Sequence, residues 1–252
     1  MKKILSTYYL VGKYSLNDKI FDDYIKSFRE YFCLDCDLTF LLVTDRPDIY
    51  KKYEKYNDII IEYVDLMDDI DLAKRRKFHY IYINNEELLK QFDYIHYANS
   101  NLRCNKAIFL NDIIKDNEFT VFDHPWDPAN RERLIDSFQQ NPNATIYMES
   151  INGVLYYQAA SFITTSDKFI QMAKKIISMT EVDENNEIYA LWHDETYFNF
   201  YISKIIGADK IDILSGQLWL YQFSDIPPKC AYMHLIHKSE YISDFKNRLD
   251  II

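Results

Sequence analysis

Glycine is scarce in this sequence, occurring at only four of 252 positions: Gly12, Gly153, Gly207 and Gly216. A dinucleotide-binding fingerprint needs three glycines in one turn between a strand and a helix, and a P-loop needs two glycines before Lys-Ser or Lys-Thr. Gly12 is followed by Lys13 and Tyr14 and is preceded by no other glycine, so neither motif can be formed. The scarcity excludes NAD-dependent oxidoreductases of the usual kind and P-loop nucleotide triphosphatases.

Positive charge and long apolar runs are also lacking. The chain has 29 Lys and Arg against 39 Asp and Glu, a net charge of −10 that repels phosphate backbones and anionic lipids, so we expect no nucleic-acid partner. No apolar run approaches the ~18 residues of a membrane-spanning helix, and residues 4–11 run into Gly12-Lys13 without a signal-peptide cleavage site. We therefore expect no transmembrane anchor and a cytoplasmic location.

The four cysteines do not form a metal-site pattern. Cys33 and Cys36 have the spacing of a zinc knuckle, but Cys104 and Cys230 are isolated and cannot complete four ligands. A thioredoxin-type site is also disfavoured, because the close pair follows a helical run and precedes a strand. We interpret these cysteines as structural and reduced.

Apolar spacing along the first half predicts strands that alternate with helices. Apolar runs of strand length cover residues 4–11, 38–43, 59–64 and 94–98, and helical spacing covers 15–32 and 72–92. Strands separated by helices predict an α/β fold with a mostly parallel central sheet flanked by helices. The whole chain, residues 1–252, is expected to form a single domain.

The second half is less regular. Residues 119–143 contain Pro125, Pro128 and Pro142 and predict a loop-rich insertion. Strands are predicted over 144–148, 155–164, 211–214 and 219–221, and helices over 167–179, capped by Ser166, and over 195–205. No internal repeat or low-complexity segment interrupts this order.

A polar triplet, Asn99-Ser100-Asn101, follows the predicted strand 94–98. Ligands of open α/β sheets bind beyond the carboxyl ends of the strands, where nucleotide-sugar transferases usually place two aspartates that hold Mn²⁺ or Mg²⁺. Here both positions are amides, which are poorer ligands, so we expect no metal cofactor. The diphosphate would then need cationic side chains, for which the candidates are Arg76, Lys77, Arg103 and Lys238. The plainer interpretation of the triplet is a turn that ends the strand.

The sharpest cluster is Trp192-His193-Asp194-Glu195, at the start of the predicted helix 195–205. Asp194 is first of all a candidate N-cap residue. The cluster also suits a sugar site, because Trp offers an apolar face to a pyranose ring and a carboxylate stabilises a developing oxocarbenium ion. Neighbouring helical residues diverge by ~100°, so Asp194 and Glu195 cannot flank one glycosidic bond as hydrolase carboxylates do. This geometry favours sugar transfer with one key carboxylate.

Together these segments resemble glycosyltransferase family 6, the retaining transferases that include the histo-blood-group A and B enzymes and the α-1,3-galactosyltransferases. The matching segments are residues 9–14 (YLVGKY), 42–45 (LVTD), 76–79 (RKFH), 99–101 (NSN), 124–125 (HP), 156–160 (YYQAA) and 192–195 (WHDE). The animal enzymes carry an aspartate pair where this chain has the amide triplet, whereas bacterial members are similar to this chain and work without metal. The resemblance implies a bacterial- or phage-type member with a GT-A-type fold, in which residues 1–110 mainly bind nucleotide and 111–252 mainly bind sugar and acceptor.

The resemblance also implies a role for each matching residue. Those near the uridine, ribose and diphosphate would be Tyr9, Val11, Tyr14, Arg76 or Lys77, Asn99, Asn101 and Lys238. Those near the donor sugar would be the wall formed by Gln158, Ala159 and Ala160, together with Asp194. His124 and Trp192 would contact the acceptor, and Glu195 would be the catalytic carboxylate on the β face of the anomeric carbon. Glu195 would act either as a short-lived nucleophile or as an electrostatic partner.

The implied reaction is transfer of galactose or N-acetylgalactosamine from a UDP-sugar to a galactoside acceptor in α-1,3 linkage, without a divalent metal. Family members with glycine at the second and third wall positions tend to use N-acetylgalactosamine, so Ala159 and Ala160 favour galactose. The chain departs from the family pattern at Ile163-Thr164-Thr165 and at Trp126-Asp127, both beside the acceptor region, so the acceptor stays open. The alternatives are a non-catalytic glycan- or nucleotide-binding protein on the same fold, and a transferase of another donor or linkage.

Overall fold

The computed structural model describes residues 1–67, 69–124, 134–221 and 231–236. The strands are β1 (Lys3–Leu10), β2 (Asp37–Thr44), β3 (Ile59–Tyr63), β4 (Tyr94–Ala98), β5 (Leu102–Cys104), β6 (Phe119–Asp123), β7 (Tyr157–Thr165), β8 (Asp212–Leu214), β9 (Leu220–Tyr221) and β10 (Met233–Leu235). The α-helices are α1 (Lys19–Tyr31), α2 (Pro47–Tyr50), α3 (Ile70–Arg75), α4 (Lys77–Tyr82), α5 (Glu86–Leu89), α6 (Leu110–Ile113), α7 (Ser166–Asn185), α8 (Asp194–Phe200) and α9 (Gly216–Trp219). Short 3-10 turns cover Gly12–Leu16, Lys51–Tyr53 and Ala208–Lys210, α8 continues as a π-helix over Tyr201–Ile206, and residues 134–138 are helical.

Seven strands form one central sheet in the order β3-β2-β1-β4-β7-β6-β8. β1, β2, β3, β4, β6 and β8 run parallel, and β7 runs antiparallel between β4 and β6. The carboxyl ends of β1, β4 and β6 therefore meet the amino end of β7 at one edge, where ligands of open α/β sheets bind. This mostly parallel sheet confirms the predicted α/β architecture of the GT-A type.

The central sheet separates two apolar layers, because successive residues of a strand point to opposite faces. Along β2, Leu41 and Val43 pack into the layer that contains α4, α7 and α8. Phe40 and Leu42 pack into the layer that contains α1. Helices on both faces hold the sheet and leave its carboxyl edge to carry polar side chains.

One predicted helix, over residues 72–92, is wrong as a continuous element. The structure divides it into α3, α4 and α5. The first break lies at Arg76, whose ψ of 11° is outside the helical range. This break lets Arg76 bind Glu184 on α7 while the next residue, Lys77, binds Asp194 on α8. Contacts of Arg76 and Lys77 with two other helices therefore interrupt a segment whose apolar spacing predicted one continuous helix.

Two predictions for the second half are also wrong. The predicted loop 119–143 begins with β6, an interior strand, and contains the helical residues 134–138. Its prolines suggested a loop, but Pro125 and Pro128 lie outside the described residues, and the segment before them pairs with β7 and β8. The predicted strand 144–148 forms turns, because the N–H and the hydroxyl of Thr145 both donate to Asp183 on α7, each at 2.8 Å.

Some boundaries also differ from the predictions. Ser166 is the first residue of α7 rather than its cap, and its hydroxyl donates to the carbonyl of Leu89 at 2.6 Å. Of the predicted strand 219–221, only β9 is extended, and Trp219 ends α9. β9 belongs to a second, three-stranded sheet in the order β5-β10-β9. Within the described residues, no helix has the length and apolar character that crossing a bilayer requires.

Candidate active site

A pocket lies at the sheet edge where β1 and β4 end. It is lined by Tyr9, Val11, Tyr14, Ala73, Lys74, Lys77, Tyr97, Asn99 and Ser100. β1 and the turn after it supply the first three of these residues, α3 and α4 supply the next three, and β4 with its following turn supplies the rest. The structure thus brings together five of the predicted donor-binding residues: Tyr9, Val11, Tyr14, Lys77 and Asn99.

The turn after β1 is held in place by Asp45, at the end of β2. Its carboxylate accepts hydrogen bonds from the N–H of Gly12 at 2.9 Å, the hydroxyl of Ser15 at 2.7 Å and the N–H of Met67 at 3.0 Å. These donors compensate for complete burial of the side chain. Gly12 has φ 63°, a conformation that other residues adopt only at a cost. Asp45 is not among the site residues predicted from the sequence, because these contacts form only once the strands have come together.

A buried ion pair joins the pocket to α8. Nζ of Lys77 lies 2.6 Å from Oδ2 of Asp194, and each side chain is 10% exposed. Nζ also lies 4.8 Å from the centre of the Tyr97 ring. Burial lowers the pKa of Lys77, but the carboxylate of Asp194 outweighs this effect, so the pKa lies above its usual range. The ammonium group of Lys77 is therefore fixed at the pocket and stays charged at neutral pH.

The other cationic candidates lie differently. Nη2 of Arg76 donates to Oε2 of Glu184 at 2.7 Å, so of the two neighbouring candidates Lys77 lines the pocket and Arg76 faces α7. Arg103 is 4% exposed and donates to the carbonyl of Ile20 at 2.8 Å, which places its guanidinium against the start of α1. Lys238 lies outside the described residues.

The start of α8 has a strained backbone. His193 occupies the N-cap position with φ 50° and ψ −123°, a conformation rare for residues other than glycine. Asp194 is the first helical residue and its side chain binds Lys77, so the prediction that Asp194 caps the helix is wrong. The two neighbouring acids diverge as expected: Asp194 points to α4 and Glu195 points to β7.

Glu195 lies against the amino end of β7. The hydroxyl of Tyr156 donates to Oε1 at 2.7 Å, and the N–H of Ala159 lies 3.4 Å from Oε2. Tyr156 is 2% exposed and had been assigned no role from the sequence. Both oxygens of this carboxylate therefore have a donor from the segment that leads into β7.

The predicted sugar wall adjoins this carboxylate. Gln158, Ala159 and Ala160 are 1%, 4% and 6% exposed. The N–H of Asn99 donates to the carbonyl of Ala160 at 2.8 Å, which joins the wall to the amide triplet. The side-chain amide of Gln158 donates to the carbonyl of Asp123 at 2.9 Å. The wall therefore lies between Glu195 and the residues that follow β4.

The three remaining predicted site residues within the described ranges are Asn101, His124 and Trp192. Asn101 does not line the pocket: its side-chain amide donates to the carbonyl of Ile236 at 2.7 Å, and its own carbonyl accepts from the N–H of Ile236 at 2.9 Å. The ring of His124 packs edge-on against Tyr156, with centroids 6.1 Å apart. Trp192 is half-buried and lies three residues before the candidate Glu195, whose N–H donates to the carbonyl of Trp192 at 3.1 Å. His124 therefore packs against the tyrosine that binds the Glu195 carboxylate, whereas Trp192 is linked to Glu195 through the backbone.

The family model of glycosyltransferase family 6 matches residues 3–241, a range that includes the pocket, the ion pair and Glu195. The chain belongs to glycosyltransferase family 6. Family membership makes the protein a glycosyltransferase, with a nucleotide-sugar donor and a glycan acceptor. No curated protein matches the sequence significantly.

In the part of the chain that the structure describes, no three His, Cys, Asp or Glu side chains are grouped to hold a metal ion. Cys33, Cys36 and Cys104 are free thiols, of which Cys36 alone is half-buried rather than buried. Among the described residues, the site offers a nucleotide sugar the ammonium groups of Lys74 and Lys77, amides, aromatic rings and the two divergent carboxylates of Asp194 and Glu195.

Proposed function

We propose that this family 6 glycosyltransferase moves galactose from UDP-galactose to a galactoside acceptor in α-1,3 linkage, with retention of configuration and without a divalent metal. N-acetylgalactosamine is the second candidate sugar. The observation that carries the proposal is the contact between Lys77 and Asp194 at 2.6 Å. It places a fixed positive charge in the pocket directly beside the helix start that carries Glu195.

The donor would lie across the carboxyl edge of the sheet. Tyr9, Val11 and Tyr14 supply an aromatic and apolar lining for the uracil ring. The diphosphate would lie toward Lys77, whose ammonium balances its negative charge where other transferases use a metal ion. Asn99 offers an amide to the ribose or phosphates. The amide pair after β4 provides no carboxylate for Mn²⁺ or Mg²⁺, which supports metal-independent chemistry.

At the reaction centre, the bond between the anomeric carbon and the diphosphate oxygen breaks, and UDP leaves with the bonding electrons. Glu195 would stabilise the resulting positive charge from the β face, either through a transient bond to the carbon or electrostatically. The acceptor hydroxyl then attacks from the face that UDP has left and would transfer its proton to a phosphate oxygen of the departing UDP. Attack on that face retains the configuration, and Asp194 would hold donor hydroxyls during both steps.

The residues of the wall favour galactose. An acetamido group needs space beside the second position of the sugar, and a methyl group there reduces that space relative to glycine. Ala159 and Ala160 pack in opposite layers of the sheet, so one of the two methyl groups would face the sugar. Both residues are nearly fully buried, so the wall has little freedom to retreat. His124 and Trp192 would receive the acceptor on the side of Tyr156.

The test is UDP release from a panel of UDP-sugars, with and without EDTA, on a panel of galactoside acceptors. The proposal expects release with UDP-galactose that EDTA does not reduce, and an α-anomeric product by NMR. Release that needs Mn²⁺ would refute metal independence, and a β-anomeric product would refute retention. Absence of release with every donor, together with weak UDP binding by calorimetry, would favour a non-catalytic protein on this fold.

A further inference from the structure

Asn199 is a buried amide that connects α8 to β7. It lies on α8 four residues after Glu195 and is 0% exposed. Its Oδ1 accepts from the N–H of Tyr157 at 2.7 Å. Its Nδ2 donates to the carbonyl of Tyr157 and to the carbonyl of Glu195, each at 3.0 Å. One side chain therefore binds the backbone of the strand and the backbone of the helix at the same time.

The position of Tyr157 explains why such an amide is needed. β4 ends at Ala98, which pairs with Ser161, so the first residues of β7 extend beyond their neighbour on that side. The pairing of β7 with β6 is also irregular here, with a register shift between Val121 and Phe122. Asn199 gives Tyr157 one acceptor and one donor, the same two bonds that a residue of an adjacent strand would give.

The segment fixed in this way is the one that holds the Glu195 carboxylate. Tyr156 precedes Tyr157 and donates to Oε1, and Ala159 lies two residues later with its N–H toward Oε2. A shift of β7 against α8 would move both donors relative to the carboxylate. The third bond of Asn199, to the carbonyl of Glu195, ties the same helical turn to this frame.

We propose that Asn199 is a positioning residue for catalysis, which acts by fixing the Glu195 carboxylate relative to Tyr156 and the sugar wall. The inference rests on the proposed catalytic role of Glu195. Asn199 meets three requirements together, since it supplies one acceptor and two donors from a short side chain. Aspartate has the same shape but supplies no donor when ionised, and serine supplies only one, so neither can replace it.

The experiment measures kcat and KM for UDP-galactose, and UDP affinity by calorimetry, in Asn199→Ser and Asn199→Asp. A displaced carboxylate lowers the rate of the chemical step, so we expect kcat to fall about 10- to 100-fold. KM and UDP affinity should stay within about threefold, because the nucleotide pocket does not contain Asn199. Parallel loss of UDP binding and turnover in both variants would show that Asn199 serves only the fold and would overturn the inference.

A matched control is Asn85→Ser. Asn85 is also a buried amide, 4% exposed, but its side chain donates to the carbonyl of Ile81 at 3.2 Å, one turn earlier in its own segment, rather than to β7 or α8. This variant should lose thermal stability while keeping kcat within about twofold. An equal fall of kcat in Asn85→Ser would show that the loss is a general effect of destabilisation.

A double-mutant cycle with Tyr156→Phe tests whether the two residues act through the same carboxylate. If they do, the loss of kcat in the double variant is smaller than the product of the two single losses, whereas independent effects multiply. Glu195→Gln serves as the separate test of the proposed function. Unchanged turnover in Glu195→Gln would remove the role of Glu195 itself, whereas a large loss there with multiplicative effects of Asn199 and Tyr156 would remove only the positioning role.

Discussion

The ammonium of Lys77 and the carboxylate of Asp194 form a contact of 2.6 Å in which each side chain is 10% exposed. Two charges withdrawn from water stabilise each other only while both are present, and removal of one partner leaves a buried, unpaired charge. The pair fixes α4 against the start of α8. In the proposed function, the same ammonium would also face a second anion, the diphosphate of the donor.

Variants of this ion pair should distinguish its effect on the stability of the fold from its effect on donor binding. We expect Lys77→Met to lower the free energy of unfolding by about 3 kcal/mol, because Asp194 is left without its partner. The double variant Lys77→Met, Asp194→Asn should recover most of that loss in thermal denaturation, since no buried charge remains. UDP affinity, measured by calorimetry, should remain about 10-fold or more below wild type in both variants. Recovery of UDP affinity in the double variant would contradict a role of Lys77 at the diphosphate.

Burial of His96 should make the free energy of unfolding depend on pH. Its ring is 1% exposed within β4, with Nδ1 2.7 Å from the hydroxyl of Ser6 and Nε2 2.9 Å from that of Ser161. Burial lowers the pKa of His96 to about 3. In the unfolded chain this ring is protonated below about pH 6.5, whereas in the folded chain it stays neutral down to about pH 3. The contribution of His96 to stability is therefore complete above pH 6.5 and decreases as the pH falls toward 3.

The contribution of His96 should be about 1.4 kcal/mol per pH unit within that window. Urea denaturation between pH 7 and pH 4 measures it, and His96→Gln should reduce the slope because the variant has no titrating ring. An identical slope in wild type and His96→Gln would show that other groups control acid stability.

The strands at the centre of the sheet were predictable because parallel strands buried on both faces are almost continuous apolar runs. The predicted ranges 4–11, 38–43 and 94–98 correspond to β1, β2 and β4. The break of the helix 72–92 was not predictable, because it depends on Glu184 and Asp194, which lie more than 100 residues away along the chain. The same distant contacts decide that Lys77 rather than Arg76 lines the pocket.

The candidate reactive residues could be proposed from sequence patterns, whereas the residues that support them could not. Asn99, Asp194 and Glu195 stand in segments with a recognisable pattern. Asp45 and Asn199 act by binding backbone N–H and carbonyl groups, and these contacts exist only after the strands and helices have come together. The position of an aspartate or asparagine relative to its neighbours in the sequence does not reveal such a role.

The space beside Gly216 is occupied by the side-chain amide of Gln158, so a substitution at Gly216 should change the orientation of Gln158. A Cβ atom at Gly216 would overlap the carbonyl oxygen of Asp123 and the side-chain amide of Gln158. Gly216→Ala should therefore displace Gln158 from the wall and lower kcat/KM for the donor sugar about 10-fold, with UDP affinity retained. Steady-state kinetics with UDP-galactose and calorimetry with UDP measure the two effects.

The matched control for this change is Gly153→Ala. Gly153 has φ 75° but no atom within 4 Å of a Cβ placed there, so the substitution adds backbone strain without contact. We expect a loss of about 1 kcal/mol in stability and unchanged donor kinetics. Equal kinetic effects of the two substitutions would refute a specific role of Gly216.

Smaller residues in the sugar wall should change the preference between the two donors. Ala159→Gly and Ala160→Gly each remove one methyl group of the wall, on opposite faces of β7, so one of the two variants should enlarge the space for the acetamido group. The ratio of kcat/KM for UDP-N-acetylgalactosamine to that for UDP-galactose should rise about 10-fold in at least one variant, in line with the size of one methyl group. A ratio unchanged in both variants and in the double variant would mean that another part of the site reads the sugar.

The most direct test of the whole account is the rate of UDP release from UDP-galactose in excess EDTA, compared between wild type and Glu195→Gln. Glutamine keeps the size of the side chain and can still accept from Tyr156, but it removes the negative charge that would stabilise the anomeric centre. The account predicts a wild-type rate that the chelator leaves unchanged, and a rate at least ~100-fold lower in the variant with UDP affinity preserved. A wild-type rate abolished by EDTA and restored by Mn²⁺, or equal rates for the two proteins, would contradict it.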